Sequence, residues 1–221
     1  MAILQYKIIL IDYLSIYSNT LFYLPCGKIK TMSANYIIDL QITNKLYDVQ
    51  EIMYRDFERC TFTNCDFTQA DFLGVAFTDC IFISCNFNEA KINYVSLRDA
   101  SFTNCNFTGV NFTMVDSLLF SVEFKDCTLD YVKFYTLKLK GTLFTNCSLT
   151  VVDFMKSDLT DVIFDNCNLH KSVFSDTIAN KADFTTSYNF TIDPEKNKLK
   201  KAKFSQAGLK GLLDKYDLII K

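Results

Sequence analysis

FERCTFTNCDFTQADFLGVAFTDCIFISCNF, residues 57–87, carries a large apolar side chain at every fifth position: Phe57, Phe62, Phe67, Phe72, Phe77, Phe82 and Phe87. Two residues before each of the later ones sits a small side chain: Cys60, Cys65, Ala70, Val75, Cys80 and Cys85. The positions between are mostly polar. A period of five is neither the 3.6 of a helix nor the 2 of a strand. Side chains at i and i−2 fall on one side of an extended segment. Five residues therefore bury two side chains, turn, and repeat. Segments of that kind stack through their backbones around a column of apolar side chains, which makes a solenoid.

The period runs on through Phe112, slips by two residues, resumes at Leu119 and Phe124, and continues to Phe174 and Phe184. The slip predicts a two-residue insertion at 113–118 (TMVDSL), with Met114 and Asp116 as its exposed members. A longer period sets the number of sides. Cys65, Cys85, Cys105, Cys127, Cys147 and Cys167 recur every 20 residues, apart from one spacing of 22 across the slip. Four pentapeptides therefore make one turn. Phe62, Phe82, Phe102, Phe124, Phe144, Phe164 and Phe184 form a second column on one face. At the ~4.8 Å spacing of stacked strands their rings can overlap with an offset. Both columns read as core, because a buried free cysteine behaves as a small hydrophobe.

Composition excludes several classes. At 49% hydrophobic residues the chain is not a solvated coil. Its 23 Lys+Arg do not outnumber 25 Asp+Glu, which argues against a basic nucleic-acid binder. Only 6 Gly and 2 Pro are present, so repeating corners must replace ordinary turns. Nine cysteines, an odd number with no CxxC pair, read as reduced thiols in the cytoplasm. The single histidine, His170, and the absence of clustered Cys/His ligands predict no metal. With no nucleophile–base pair and no Gly-rich phosphate loop, the expectation is no enzyme and no cofactor.

The flanks differ from the repeat. Residues 1–31 are apolar, but their longest uncharged run, Tyr13 to Gly27, is shorter than the roughly 20 residues of a membrane span. They read either as a strand-rich cap or as an extension upstream of a start at Met32. Residues 32–56 keep Met32, Ile37, Ile42, Tyr47 and Ile52 in register but lose the small slot, which predicts an irregular first coil or cap. The repeat stops at Phe190, and residues 191–221 read as a capping or dimerisation segment. There Ser205 is a helix N-cap, and Leu209, Leu212, Leu213 and Tyr216 follow at i, i+3, i+4 and i+7 to make one apolar face.

QADFL (69–73), GVNFT (109–113), VVDFM (151–155) and KSDLT (156–160) resemble the A(D/N)LXX motif of the pentapeptide-repeat family. That resemblance implies an all-β fold, a right-handed four-sided parallel β-helix, over residues 57–190. The tail, TIDPEKNKLKKAKF (191–204) and the helix after it, resembles that of the Qnr-type quinolone-resistance proteins and of an immunity protein against a gyrase-poisoning microcin. The resemblance implies a homodimer joined end to end through the C-terminal segments. It also implies a DNA mimic that binds DNA gyrase or topoisomerase IV and protects it from quinolones or a toxin, without itself binding nucleic acid or membrane. The other reading is a β-helical interaction scaffold for a different protein partner.

Charge supports an acidic body. Residues 57–190 hold 16 acids and 10 bases, whereas residues 191–221 hold 4 acids and 8 bases. Asp79, Asp99 and Asp161 occupy equivalent corners of one face, with Ser121 and Gly141 between the last two. Together with Met114 and Asp116 they are the candidate topoisomerase contacts; the plainer reading is solvated corners. The net charge is far sparser than DNA's one per ~1.7 Å, so mimicry would rest on shape and local acidic columns.

Overall fold

The computed structural model describes residues 35–219; the readings made for residues 1–31 and Met32 lie outside them. The chain winds as a stack of four-sided coils in which every strand pairing is parallel. Face one carries Tyr36–Ile38, Asp56–Glu58, Ala76–Thr78 and Ser96–Arg98. Face two carries nine short strands, from Gln41–Thr43 to Lys203–Phe204. Faces three and four stack through single bridges such as Asn86↔Asn106 and Lys133↔Asp153. Partners are 20 residues apart, as in Phe62↔Phe82 and Phe144↔Phe164.

The core is the set of i and i−2 side chains. Phe62, Phe82, Phe102, Phe124, Phe144, Phe164 and Phe184 are buried. Their rings stack at centroid distances of 4.8 to 5.3 Å. Adjoining columns meet edge-on, as Phe102 meets Phe107 at 87°. The motif's Asp/Asn has a local cause. Its carboxylate or amide oxygen accepts the N–H two residues on, as Asp66 does from Thr68 and Asp153 from Met155. That contact satisfies a backbone donor the coil leaves unpaired.

The corners explain how so few glycines suffice. A residue near the end of most pentapeptides adopts the left-handed conformation, and its N–H bonds a carbonyl of the next coil, as Asn64 does with Ile83. Asn and Asp, which tolerate this region, fill many of these sites. Val151, at φ 59°, is a β-branched exception. An L-residue there costs about 1–2 kcal/mol. Val151→Asn should therefore raise stability by roughly 0.5–1 kcal/mol, read as a higher urea midpoint at unchanged m-value.

All eight cysteines among the described residues are free and buried. Each Sγ lies against backbone carbonyls; that of Cys85 donates to Phe62 O at 3.4 Å and Ile83 O at 3.5 Å. Hydrogen bonds between neighbouring thiols push their pKa values in opposite directions, Cys65, Cys80, Cys105 and Cys147 up and Cys60, Cys85, Cys127 and Cys167 down. Reactivity needs an accessible thiolate, and burial closes all eight to reagent. N-ethylmaleimide at neutral pH should leave these eight thiols unmodified in the native protein and modify them in guanidinium, as peptide mass mapping would show.

Three boundaries differ from expectation. Within residues 32–56, expected as an irregular first coil or cap, the described part is regular at first, as Ile37 pairs with Phe57, Ile42 with Phe62, and Tyr47 stacks on Phe67 at 4.7 Å, and irregular at 49–54, a run of turns without a bridge to Asp71. The solenoid does not stop at Phe190, because Phe204 pairs with Phe184 and stacks on it at 5.1 Å. The insertion is not at 113–118. Asp116 still pairs with Ser96, and Val122 pairs with Ala100, so five residues (117–121) span what three (97–99) span in the coil above. Leu119, assigned to the core by the resumed period, is 51% exposed, and Phe120 turns inward onto Phe112 instead.

Candidate interaction surfaces

Asp79, Asp99 and Asp161 do lie on one corner column, each in the left-handed conformation. Only Asp79 and Asp99 are consecutive. Asp161 is paired with Lys181 at 3.5 Å. Arg59, above Asp79 in the same column, is held by Asp39 at 2.8 Å and by Glu58. The column is thus an acidic pair with mixed charge above and below, not an acidic stripe.

Met114 and Asp116 are exposed but remain in regular register. Asp116 accepts the Leu118 N–H at 3.0 Å and so starts the bulge. The bulge itself presents Leu118, 83% exposed, and Leu119. A cleft of about 220 Å³ beside it is lined by Asp99, Ala100, Ser101, Ser121, Val122 and Glu123.

The tail folds as Lys210–Leu213 α-helix between two 3₁₀ turns, Ala207–Leu209 and Asp214–Tyr216. Ser205 Oγ accepts the Gly208 N–H at 3.0 Å, a capping contact. Two glycines set the docking. A Cβ on Gly208 would stand 2.8 Å from the Phe190 ring, and one on Gly211 would stand 2.2 Å from the Phe190 carbonyl oxygen. The Ile192 N–H also bonds Gly211 O at 3.0 Å. The four apolar residues read as one interface face are therefore divided. Leu212 packs on the chain's own core and Leu213 is half-buried. Tyr216 is partly exposed, but its hydroxyl donates to Glu195. Leu209 is exposed, and Leu218 and Ile219 extend that patch beyond the residues the sequence pattern pointed to. A G-x-x-G spacing at 208–211 was the available signal for the docking.

A cluster of charges fastens the tail. Lys215 Nζ sits 2.8 Å from Asp193 and 2.7 Å from Glu195. The Lys215 hydrogen bond holds both carboxyl groups below their ordinary range. Carboxylates with lowered folded pKa values stabilise the docked tail above about pH 4, and that contribution fades as pH falls through the folded values. Hydrogen exchange at the Ile192 amide should accordingly lose protection below about pH 4, while amides inside the Phe column keep theirs.

Beside the docked tail lies a cleft of about 370 Å³, with His170, Tyr188, Phe190, Lys210 and Asp214 among its lining residues. Among the described residues no group of three or more His, Cys, Asp or Glu is placed to hold a metal ion. No helix among them is long and apolar enough to cross a membrane.

No curated protein matches the chain. A trypsin-treated variant of QnrB1, a plasmid-mediated fluoroquinolone resistance protein, is similar in structure at a TM-score of 0.46. It is 18% identical, with 84% of this chain and 100% of that one covered. Full-length QnrB1 gives a TM-score of 0.43 at 18% identity, covering 83% of this chain and 100% of that one. A pentapeptide repeat protein from the Arabidopsis thaliana thylakoid lumen gives 0.32 at 23% identity, covering 42% of this chain and 66% of that one. The sequence profile of the pentapeptide repeat region matches residues 55–134 and 117–189. Those matches span more than half of the chain, which belongs to the pentapeptide-repeat family.

Proposed function

We propose that this protein acts as a DNA-shaped rod that occupies the duplex-binding surface of DNA gyrase or topoisomerase IV, and so relieves poisoning by a quinolone or a toxin. The observation that carries the reading is the rod itself. Nine strands stack on face two, and eight steps of ~4.8 Å make it roughly 38 Å long. Two such rods joined through the exposed Leu209, Leu218 and Ile219 would approach ~77 Å, the length of about 23 base pairs at 3.4 Å each. The repeat body carries the acidic excess, 16 acids against 10 bases. Many of those acids are fixed in place by backbone N–H groups, as Asp71, Asp153 and Asp158 are. Carboxylates held in place by backbone donors on a rod are what a duplex-binding groove would accept in place of phosphates. The activity is binding alone and involves no bond-making step.

The test is competition. Full-length protein titrated into a gyrase–duplex complex should displace the DNA. Asp79→Lys/Asp99→Lys should weaken displacement several-fold, and Leu218→Ser/Ile219→Ser should weaken it by lowering dimer occupancy. Gyrase that keeps its DNA at every protein concentration would instead favour a scaffold for another partner.

A further inference from the structure

Face one and its corner are charged in halves. The upper coils present Asp56, Glu58, Asp79, Asp99 and Asp116. The lower coils present Lys138, Lys140, Lys181, Lys198, Lys200 and Lys201. Among the described residues, only Lys181 of these lysines has an ion-pair partner in its own chain. Arg59 and Arg98 above, and Asp158 and Asp161 below, are the opposing minorities. A polyanion lying along this face would meet its acidic half. A second copy turned end for end would meet opposite charge at most positions.

We infer that face one is a self-complementary surface through which two copies pair side by side and antiparallel. Count coils along face one from Tyr36 as the first, with Asp116 in the fifth and Lys138 in the sixth. A two-fold axis between the fifth and sixth coils, lying across the face, sets coil five on six, four on seven, three on eight and two on nine. Asp116 then opposes Lys138 and Lys140. Arg98 opposes Asp158 and Asp161, Asp79 opposes Lys181, and Asp56 opposes Lys198 and Lys200, with Glu58 beside it already paired to Arg59 in its own chain. The like pairs that result, Asp99 with Asp161 and Arg59 with Lys201, each include a member already neutralised in its own chain, by Lys181 and by Asp39 respectively.

The bulge falls at the axis. Leu118 and Leu119 of coil five project toward coil six of the other copy, where the corner residue is Gly141. No atom lies within 4 Å of where a Gly141 Cβ would be, so space is open there. The surface thus has an exposed apolar centre with charge around it, the arrangement of a protein interface, and its symmetry is that of an isologous dimer. Exposed charges are screened by salt, so the pairing is weak and salt-sensitive. It does not use the tail and does not depend on any topoisomerase partner.

Reciprocal charge reversal tests it on the full chain by sedimentation velocity. The measurements are made in the Leu218→Ser/Ile219→Ser background, which removes the tail contact. That protein should dimerise at about 50 mM NaCl, and its dissociation constant should rise about tenfold or more by 500 mM. Adding Lys138→Glu/Lys140→Glu should make it monomeric, since Asp116 then faces two acids. Adding Asp116→Lys should make it monomeric for the converse reason. An equimolar mixture of the two variants should recover the dimer, because both symmetry-related contacts become Lys opposite acid. The inference is overturned if the tail variant is already monomeric, if the reversals sediment as it does, or if the mixture stays monomeric. Binding of heparin through these lysines by a parent that does not self-associate overturns it too.

Discussion

Phe144→Ala should lower stability by about 4 kcal/mol. Phe144 is fully buried, stacks on Phe124 at 5.3 Å and Phe164 at 5.1 Å, and meets Phe134 edge-on at 6.2 Å. Removing the ring forfeits transfer free energy and leaves a void between two rings that the backbone holds in place. The register Phe124↔Phe144↔Phe164 is fixed by parallel hydrogen bonding, so neighbouring coils have little freedom to collapse into the gap. Coils in a solenoid touch only their neighbours. The loss should therefore appear as a divided transition, in which the coils after Phe144 unfold at lower urea than those before it. Thr145→Ala, one residue on and facing outward, should stay within about 0.5 kcal/mol of the parent. Urea unfolding followed by hydrogen exchange separates the two outcomes. A single, barely shifted transition for Phe144→Ala would mean that the ring column does not carry the stack.

Gly211→Val should release the tail. A Cβ at this position would stand 2.2 Å from a backbone oxygen, and Phe190 side-chain atoms are 2.9 and 3.0 Å away. No rotamer change relieves a clash with backbone. The helical turn must move, which breaks the Ile192–Gly211 hydrogen bond and uncovers Phe190 and Leu212. Overpacking of this kind costs about 1–3 kcal/mol, and here the loss is local to the last coil. Limited proteolysis should cut within residues 205–219 at a rate at least tenfold above the parent's, while the unfolding midpoint of the earlier coils stays put. Dimerisation through Leu209, Leu218 and Ile219 should fall with it. Gly141→Ala provides the contrast: open space surrounds it, so only the cost of its left-handed backbone, φ +74°, remains.

Much of this architecture is legible in the chain because the repeat imposes one environment per position. Every i and i−2 side chain of the Phe and Cys columns is where the period of five and the period of 20 put it. The misplacements share a cause: register is held by backbone pairing, which side-chain size reports only indirectly. Leu119 suits the resumed period by size, yet Asp116 keeps its bridge to Ser96 while Ser117, Leu118 and Leu119 stay exposed, and Phe120 turns inward instead. Phe204 continues the face-two column after a stretch, 191–202, whose composition hides the coil it belongs to. In the tail, helical spacing groups Leu212 with Leu209. Only the approach of Gly208 and Gly211 to Phe190 decides which leucine is covered, and that is a contact between segments about 20 residues apart. The acidic corner misled for a related reason. Spacing aligns Asp79, Asp99 and Asp161, but the lysine that neutralises Asp161 lies one coil away.

The most direct measurement is DNA supercoiling by gyrase at an inhibitory dose of a fluoroquinolone, with the full-length protein titrated in. The account predicts that supercoiling returns at low micromolar protein and is inhibited again at higher concentration, as a rod competing for the duplex surface requires. Asp79→Lys/Asp99→Lys should shift both limbs to higher protein. An unchanged drug response at every concentration, with topoisomerase IV equally indifferent in decatenation, would contradict it.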